Sequence, residues 1–402
     1  MASVFPFRPW RSHPENIKKI SCPPYDVIDS DEARALAENN PKSFLHIIRP
    51  EIDFPSETAF NDQRVYAKGA QNLQRFMDEK ILIQEQEPGL YLYQLVWQGK
   101  SQIGIFGCVS VDEYDNEIIL KHELTRPAKE DDRTKHILAQ QAHAEPVMLT
   151  YNEQSEITNI QNEVVQNKKP LFHFEAFDGV THTLWKLENT KPLRNAFEKV
   201  DHFYIADGHH RCKSASRAAQ ELRNKDQNND EEAFNYFPAV VFPSSQMHIL
   251  AYNRLVHHIP KDFLNQLKKR FEIKKGADPE PQKKGDISLY INDIWYGLEL
   301  PEIQKANAVE TLDVYRLQEF LLEPLLGVKD QRRDENISFV GGIRGTTELE
   351  QQVNKGEADL AISLYPTAIE ELMTVSNEGL LMPPKSTWFE PKLRSGLLVH
   401  SF

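Results

Sequence analysis

Phe203-Tyr-Ile-Ala-Asp-Gly-His-His-Arg-Cys-Lys-Ser-Ala-Ser-Arg217 is the stretch on which the reading of this chain turns. Phe203 to Ala206 has the apolar, β-branched and aromatic character of a short strand, and Asp207-Gly208 is a tight-turn pair. From His209 the spacing becomes helical: Cys212, Ala215, Ser216, Ala219 and Leu222 recur at threes and fours as a small-residue stripe. His209, His210 and Arg211 therefore fall in the first turn of a helix. The exposed N–H groups and positive dipole end there favour an anion. Basic side chains oppose that dipole unless something anionic binds, and such a local conflict marks a functional site.

Three readings of the turn stand side by side. In the first it binds phosphate, with the imidazoles and Arg211 as charged donors, Gly208 giving close backbone approach and Asp207 holding Mg²⁺. In the second it is structural, Asp207 capping the helix. In the third it is a metal site without phosphate. Neighbouring side chains on a helix diverge by about 100°, so His209 and His210 share one ion poorly.

Around this turn the chain alternates short strands and helices, which predicts an α+β (mixed α/β) protein with a phosphate-binding strand–turn–helix unit inside a larger mixed sheet. Three regions are expected. Residues 1–150 carry Pro23-Pro-Tyr-Asp-Val27 and Lys121-His-Glu-Leu-Thr-Arg126; residues 151–273 carry the His-His-Arg turn; residues 286–402 carry Pro384-Lys-Ser-Thr387. Their motifs are expected to share one cleft. A helix is expected over Asp29–Glu38, an amphipathic one over Thr58–Lys80, and a third from Pro127 to about Ala142. Gly89–Gln98 and Gln102–Tyr114 read as a hairpin joined by Gln-Gly-Lys-Ser. The polar run from Asn224 to Glu232 reads as a mobile loop.

A second cluster runs Lys121-His-Glu-Leu-Thr-Arg-Pro-Ala-Lys-Glu-Asp-Asp-Arg133. Lys129, Arg133 and His136 share one helix face. Lys121 and Arg126 flank Glu123 and favour its ionised form. This is either a solvated, salt-bridged surface or a second part of an anion site. Pro384-Lys-Ser-Thr-Trp-Phe-Glu-Pro-Lys392 is no Walker A loop, because Pro384 replaces the required glycine and Pro391 cuts short a following helix. A rigid loop there either aims Lys385, Ser386, Thr387 and Lys392 into a cleft or lets Trp388 and Phe389 plug a core. Gly341-Gly-Ile-Arg-Gly345 lacks dinucleotide-site spacing and reads as an ordinary strand-to-helix turn.

Composition bounds the function. The net charge of -13 lacks the basic face that gripping a nucleic-acid backbone demands. No apolar run reaches the length of a membrane span, and the N-terminus lacks the apolar core of a signal peptide, so a cytoplasmic protein is expected. Cys22, Cys108 and Cys212 support neither a disulfide framework nor a cysteine zinc site. No Gly-x-Ser-x-Gly or His-Glu-x-x-His motif occurs.

The Asp207-Gly-His-His-Arg211 run resembles the signature of free-serine kinases in the ParB/sulfiredoxin superfamily. Over nearly its whole length the chain resembles an uncharacterised bacterial and archaeal family, domain of unknown function 1015. The matching segments are Arg8-Pro-Trp10, Pro23-Pro-Tyr-Asp-Val27, Lys121-His-Glu-Leu-Thr-Arg126, Ala206-Asp-Gly-His-His-Arg211 and Pro384-Lys-Ser-Thr387. The kinase resemblance implies that Asp207, His209, His210 and Arg211 position nucleotide phosphates (ATP or ADP) and Mg²⁺. It also implies a separate glutamate as base on the hydroxyl of a small metabolite, with Glu123 preferred and Glu145 the other candidate. Lys121, Arg126, Arg133, Lys385, Ser386 and Thr387 are the supporting phosphate ligands. His209 stands where sulfiredoxins carry their reactive cysteine, which argues against sulfinate repair. ParB's second phosphate motif and DNA-binding domain have no counterpart here. The expected activity is a Mg-dependent phosphotransferase, free serine being the first acceptor; the alternatives are a nucleotide-binding regulator without transfer and a phosphodiesterase or nuclease.

Overall fold

A computed structural model describes residues 1–225 and 232–402; residues 226–231, and with them most of the expected mobile loop, lie outside the described residues. The protein is α+β. Its contacts gather into two compact units: unit 1 comprises Met1–Lys121, Thr125–Met247 and Pro391–Phe402, and unit 2 comprises His122–Leu124 and His248–Glu390. These units cut across the three expected regions. Strands from either side of residue 150 enter the same sheet, and the last twelve residues return to unit 1. Pairing over such separations leaves no mark on local composition.

The larger sheet of unit 1 has eight strands: β1 (Leu90–Trp97), β2 (Lys100–Ser110), β3 (Ile119–Leu120), β4 (Val147–Tyr151), β5 (Phe172–Glu175), β6 (Thr181–Leu187), β7 (Phe203–Asp207) and β8 (Tyr236–Pro243). They lie in the order β3-β7-β4-β8-β2-β1-β6-β5. The β3–β7 and β4–β8 pairs are parallel and the others antiparallel, so the sheet is mixed. The β1–β2 hairpin turns on Gln98-Gly99 alone, tighter than the four-residue turn expected. Both residues have positive φ, 49° and 76°, as a type I′ turn requires. β2 ends at Ser110, whose hydroxyl accepts from the Asp112 N–H (3.1 Å) and starts a short helix where strand was expected.

The helices follow their caps. α1 (Ser30–Ala37) begins at Asp29, whose carboxylate accepts from the Asp31 and Glu32 amides while the Glu32 side chain accepts the Asp29 N–H, a full capping box. α2 (Gln63–Asp78) starts five residues later than periodicity alone places it, because Asp62 caps the Arg64 N–H at 2.9 Å. α3 (Pro127–Gln140) opens on proline, and Gln141 closes it in the left-handed region at φ 50°. α4 (His209–Lys225) presses Cys212, Ala215 and Ala219 onto the sheet core beside Phe203, Ile205, Leu149 and Val241. The small side chains let helix and sheet approach closely, and burial of this shared face stabilises the arrangement. Ser216, also on the stripe, is buried and donates to Asp115 Oδ1 at 2.7 Å.

Unit 2 has its own antiparallel sheet of β9 (Tyr252–Val256), β10 (Asp286–Ile291), β11 (Ile294–Glu299), β12 (Ile337–Gly341) and β13 (Leu360–Leu364), extended at one edge by Lys274–Lys275. The order from that edge is β11-β10-β13-β9-β12. α5 (Gly345–Asn354) follows β12, and its Leu349 joins Leu255, Tyr290, Val340 and Ala361 in a small core. Among the described residues no helix is long and apolar enough to cross a membrane.

Candidate functional site

In unit 1, β7 runs into a register shift between Ile205 and Asp207 that re-aims its last residue. Gly208 follows at φ +103°. A Cβ there would lie 3.1 Å from both Arg211 Nε and Val147 Cγ1, so glycine is required for backbone freedom and for room. α4 then begins at His209, with no acidic residue in its first turn. His210 Nε2 accepts the backbone N–H of Arg126 at 3.0 Å, so that nitrogen is unprotonated and the neutral ring carries its proton on Nδ1. Arg126 is the N-cap residue of α3, which has no side-chain cap. Ser214 donates to the Glu130 carbonyl (3.1 Å) and Arg217 pairs with Glu130 (3.1 Å) and Asp131, fastening the two helices together. Two positive helix ends therefore meet at this turn. The exposed Arg126 guanidinium beside them pairs with no carboxylate among the described residues.

Below the turn lies a charged network. Arg211 donates from Nη1 to the Pro146 carbonyl and from Nη2 to Asp207 Oδ2 (2.6 Å), with Asp26 Oδ2 3.8 Å away. Lys392 Nζ donates to Asp207 Oδ1 at 3.0 Å. Burial alone would raise the Asp207 pKa, but Lys392 and Arg211 outweigh it and hold this carboxyl well below the usual range. Both oxygens of Asp207 are thus engaged by cations. A divalent ion placed on this carboxylate would sit against a guanidinium and an ammonium, so the expected Mg²⁺ role of Asp207 does not fit the residues present. Asp207 anchors Arg211 and Lys392 instead, and Arg211 supports the turn from beneath rather than reaching outward.

The Pro23-Pro-Tyr-Asp26 motif enters the same network. The Tyr25 N–H donates to Glu145 Oε1 (3.0 Å), as does the Ser395 hydroxyl (3.1 Å). The Tyr25 ring packs against the Arg133 guanidinium at 4.1 Å, and its carbonyl accepts from Arg49 at 3.0 Å. Burial raises the Glu145 pKa, opposed by Arg211 and Arg133. Arg133 donates twice to Asp132 (2.9 and 2.6 Å) and once to the Ile48 carbonyl (3.2 Å). A cavity of about 40 Å³ lies among Arg133, His136, His143, Glu145 and Arg211. Arg211 Nε, both ring nitrogens of His136 and His143 Nε2 are buried around it without hydrogen-bond partners among the described residues. The space suits two or three waters, by order of magnitude, and not a nucleotide.

Other expected residues are placed differently. Arg133 and His136 turn inward, and the Lys129 ammonium lies over the Phe60 ring at 5.0 Å, so this helix face is no basic surface. Lys121 pairs with Glu117 (3.6 Å) and lies over the Tyr114 ring. Glu123, Lys385, Ser386 and Thr387 belong to unit 2. There the Ser386 hydroxyl donates to the Pro383 carbonyl (2.6 Å), a turn bond inside its own loop. The Lys385 ammonium lies 5.2 Å from the Tyr252 ring centre, and Thr387 Oγ1 is 3.4 Å from His122 Nε2. Arg254, fully buried, holds the loop through the Pro384 and Lys385 carbonyls (3.3 and 3.1 Å). In this loop Phe389 is buried while Trp388 packs on Gly341 and Tyr252. Sequence reasoning missed the roles of Tyr25, Asp26 and Ser395; only the uncommon Pro-Pro-Tyr-Asp run signalled the first two. All three cysteines are free and buried.

A family described as "Protein of unknown function (DUF1015)" matches residues 4–315. No curated protein matches the chain. Three solved structures are similar. SbnI with a C-terminal truncation, from Staphylococcus aureus, is 14% identical over 73% of this chain and 87% of its own, with a TM-score of 0.41. A conserved hypothetical protein from Pyrococcus furiosus is 13% identical over 73% and 95%, with a TM-score of 0.37. A free serine kinase in complex with AMP is 14% identical over 73% and 92%, with a TM-score of 0.36. Likeness this distant transfers no residue role.

Proposed function

The chain belongs to the DUF1015 family, and from its own geometry we propose that unit 1 holds the phosphate groups of a nucleotide, ATP or ADP, at the His209–Arg211 turn. The observation that carries this reading is the meeting of two helix N-termini, joined by the bond from the Arg126 N–H to His210 Nε2. First-turn amides of α4 and the exposed Arg126 guanidinium are the donors for anionic oxygen. Gly208 brings the backbone within reach. Asp207, Arg211 and Lys392 position the turn from below, so Asp207 holds no metal in this scheme.

On the same reading the protein is a phosphotransferase acting on a small hydroxylated metabolite, with free serine the first acceptor to test. The terminal phosphorus–oxygen bond of the nucleotide breaks, a new one forms to the acceptor hydroxyl, and a glutamate takes the hydroxyl proton. Glu145, whose pKa burial raises, is the candidate for that role in unit 1. Lys121 is a further phosphate ligand of unit 1 on this reading, and Mg²⁺ accompanies the nucleotide as its counter-ion.

A second reading, nucleotide binding as a regulatory switch without transfer, is favoured by one observation. The double pairing of Asp207 removes the turn's own carboxylate from metal coordination, and phosphoryl transfer leans on a well-placed metal.

The test is the melting temperature with ATP, ADP or CTP, each with and without Mg²⁺. Ligand at a hundredfold excess over its Kd stabilises the fold by about 2.7 kcal/mol. A shift that Arg126→Glu removes supports the site, since that exposed side chain carries no structural bond among the described residues. Phosphoserine formation then supports the transferase, and a shift without transfer to any acceptor supports the regulator. No shift with any nucleotide overturns both.

A further inference from the structure

Unit 2 contains a cavity of about 310 Å³ between the first turn of α5 and the ends of β9 and β13. It is a separate feature from the His-His-Arg turn, and its chemistry is independent of whether that turn binds phosphate. The Gly341-Gly-Ile-Arg-Gly345 segment forms one wall. Gly342 has no room for a side chain, since a Cβ would lie 2.6 Å from the Ala251 carbonyl oxygen, and Gly345 sits at φ +70°. α5 therefore starts with its amides directly at the cavity. It has no side-chain cap, and the one acidic residue of its first turn, Glu348, accepts from Gln352 Nε2 (2.7 Å) down the helix instead.

Two buried polar side chains line the same space. Asn253, 3% exposed, accepts the Leu364 N–H on Oδ1 (3.1 Å), while its amide nitrogen has no hydrogen-bond partner among the described residues. Ser363, 2% exposed, has a hydroxyl without a partner among them. Both polar groups line the cavity and can bond to what fills it. Helix amides, a carboxamide N–H and a hydroxyl are donors suited to an anionic oxygen group.

The charge of the lining narrows that group. Among the described residues Glu280 is the only charged side chain lining the cavity, and its exposed carboxylate makes no ion pair with them. With no lysine or arginine, the site is built for a monoanion rather than for a phosphate dianion. A carboxylate fits the donors, and Glu280 across the cavity calls for a cation. Tyr365 and Pro366 supply a flat apolar side. From this we infer that unit 2 binds a small zwitterion of the α-amino-acid class, its carboxylate at the α5 N-terminus with Asn253 and Ser363 and its ammonium at Glu280.

The test is calorimetric titration of the full-length protein with the proteinogenic amino acids one at a time, alongside acetate, methylammonium and inorganic phosphate. At least one amino acid is expected to bind saturably, and more tightly than any of the three fragments. Glu280→Gln, a change at an exposed side chain, weakens it about tenfold while leaving acetate unaffected. Ser363→Leu fills the cavity and abolishes binding, with an unchanged melting profile as the check on folding. Absence of binding by every amino acid overturns the inference. So does affinity unchanged in both variants, which would put the ligand elsewhere, or phosphate binding that outcompetes the amino acids. Nucleotide-induced melting shifts, read in Glu280→Gln, stay intact, so failure here and failure of the phosphate reading are separate results.

Discussion

Asp207→Asn decides between an anchoring carboxylate and a metal ligand, because the two roles predict stability changes of opposite sign. Asp207 receives Arg211 Nη2 at 2.6 Å and Lys392 Nζ at 3.0 Å. The Arg211, Lys392 and Asp207 side chains are 8%, 14% and 24% exposed. Removing one partner of a buried pair costs about 3–5 kcal/mol; the residual exposure of Asp207 places the loss near the lower bound, about 3 kcal/mol. Asparagine keeps the shape and one acceptor oxygen but leaves both cations without a counter-charge. Were Asp207 instead a metal ligand waiting for its ion, the apo protein would be unchanged or gain stability once the carboxylate was gone. The assay is equilibrium urea unfolding of the metal-free protein at pH 7, with Lys392→Met and the double variant completing a cycle. A coupling of about 1 kcal/mol or more between the two positions is expected. The gap between wild type and Asp207→Asn is full at pH 7. Because the folded pKa is depressed, the gap closes as pH falls below the unfolded value of about 3.9. A variant as stable as wild type, or single-variant losses that merely add, refutes the anchor.

Gly208→Ala meets Arg211 Nε and Val147 at 3.1 Å and a φ of +103°, so it loses about 1–3 kcal/mol and the nucleotide-induced shift together; urea unfolding and melting with ATP check this. His136 and His143 are held neutral by burial, their pKa values well below 6.5. Each costs stability as pH falls below about 6.5, with a slope of about 1.4 kcal/mol per pH unit, so a Tm-against-pH series should show a shallower acid limb in His143→Gln. Ser386→Ala removes only the turn bond to the Pro383 carbonyl. It is expected to cost about 1 kcal/mol and to leave the nucleotide shift unchanged, which melting curves with and without ATP will show.

How much of this was legible in the sequence depends on whether the signal was local. The β7–Gly208–α4 unit reads directly, because strand character, a glycine at positive φ and a small-residue stripe all sit within one short stretch. The capping box at Asp29 and the proline at the head of α3 fixed their helix starts for the same reason. Where periodicity was the sole guide it overran, as at Thr58, since the apolar spacing continues past the residue that satisfies the first amides. The units themselves were illegible. Strand order β3-β7-β4-β8-β2-β1-β6-β5 is set by pairings between segments up to about a hundred residues apart or more, and the tail from Pro391 returns to unit 1 without any compositional sign.

The site shows why residue type was a better guide than residue role. Every basic or acidic group in the His-His-Arg turn was picked out from chemistry alone, yet their assignments changed once partners were known. A carboxylate next to an arginine and a lysine is an anchor, and the same carboxylate beside water is a metal ligand; sequence gives the group and withholds the neighbour. Lys392 lies 185 residues from Asp207, and Asp26 lies at the opposite end of the chain from it. The packing of α3 against α4 is fastened by Ser214 and Arg217 on Glu130. That same packing brings two helix ends to one point. On the proposed reading, the anchoring ion pairs and the phosphate site are two sides of one arrangement, with Arg211 and Asp207 engaged with each other and the Arg126 side chain exposed. A variant that weakens the lower layer should loosen the upper one, whereas Arg126→Glu should spoil binding and leave stability alone. That asymmetry, measured by unfolding and nucleotide-dependent melting on the same variants, separates the supporting layer from the binding layer.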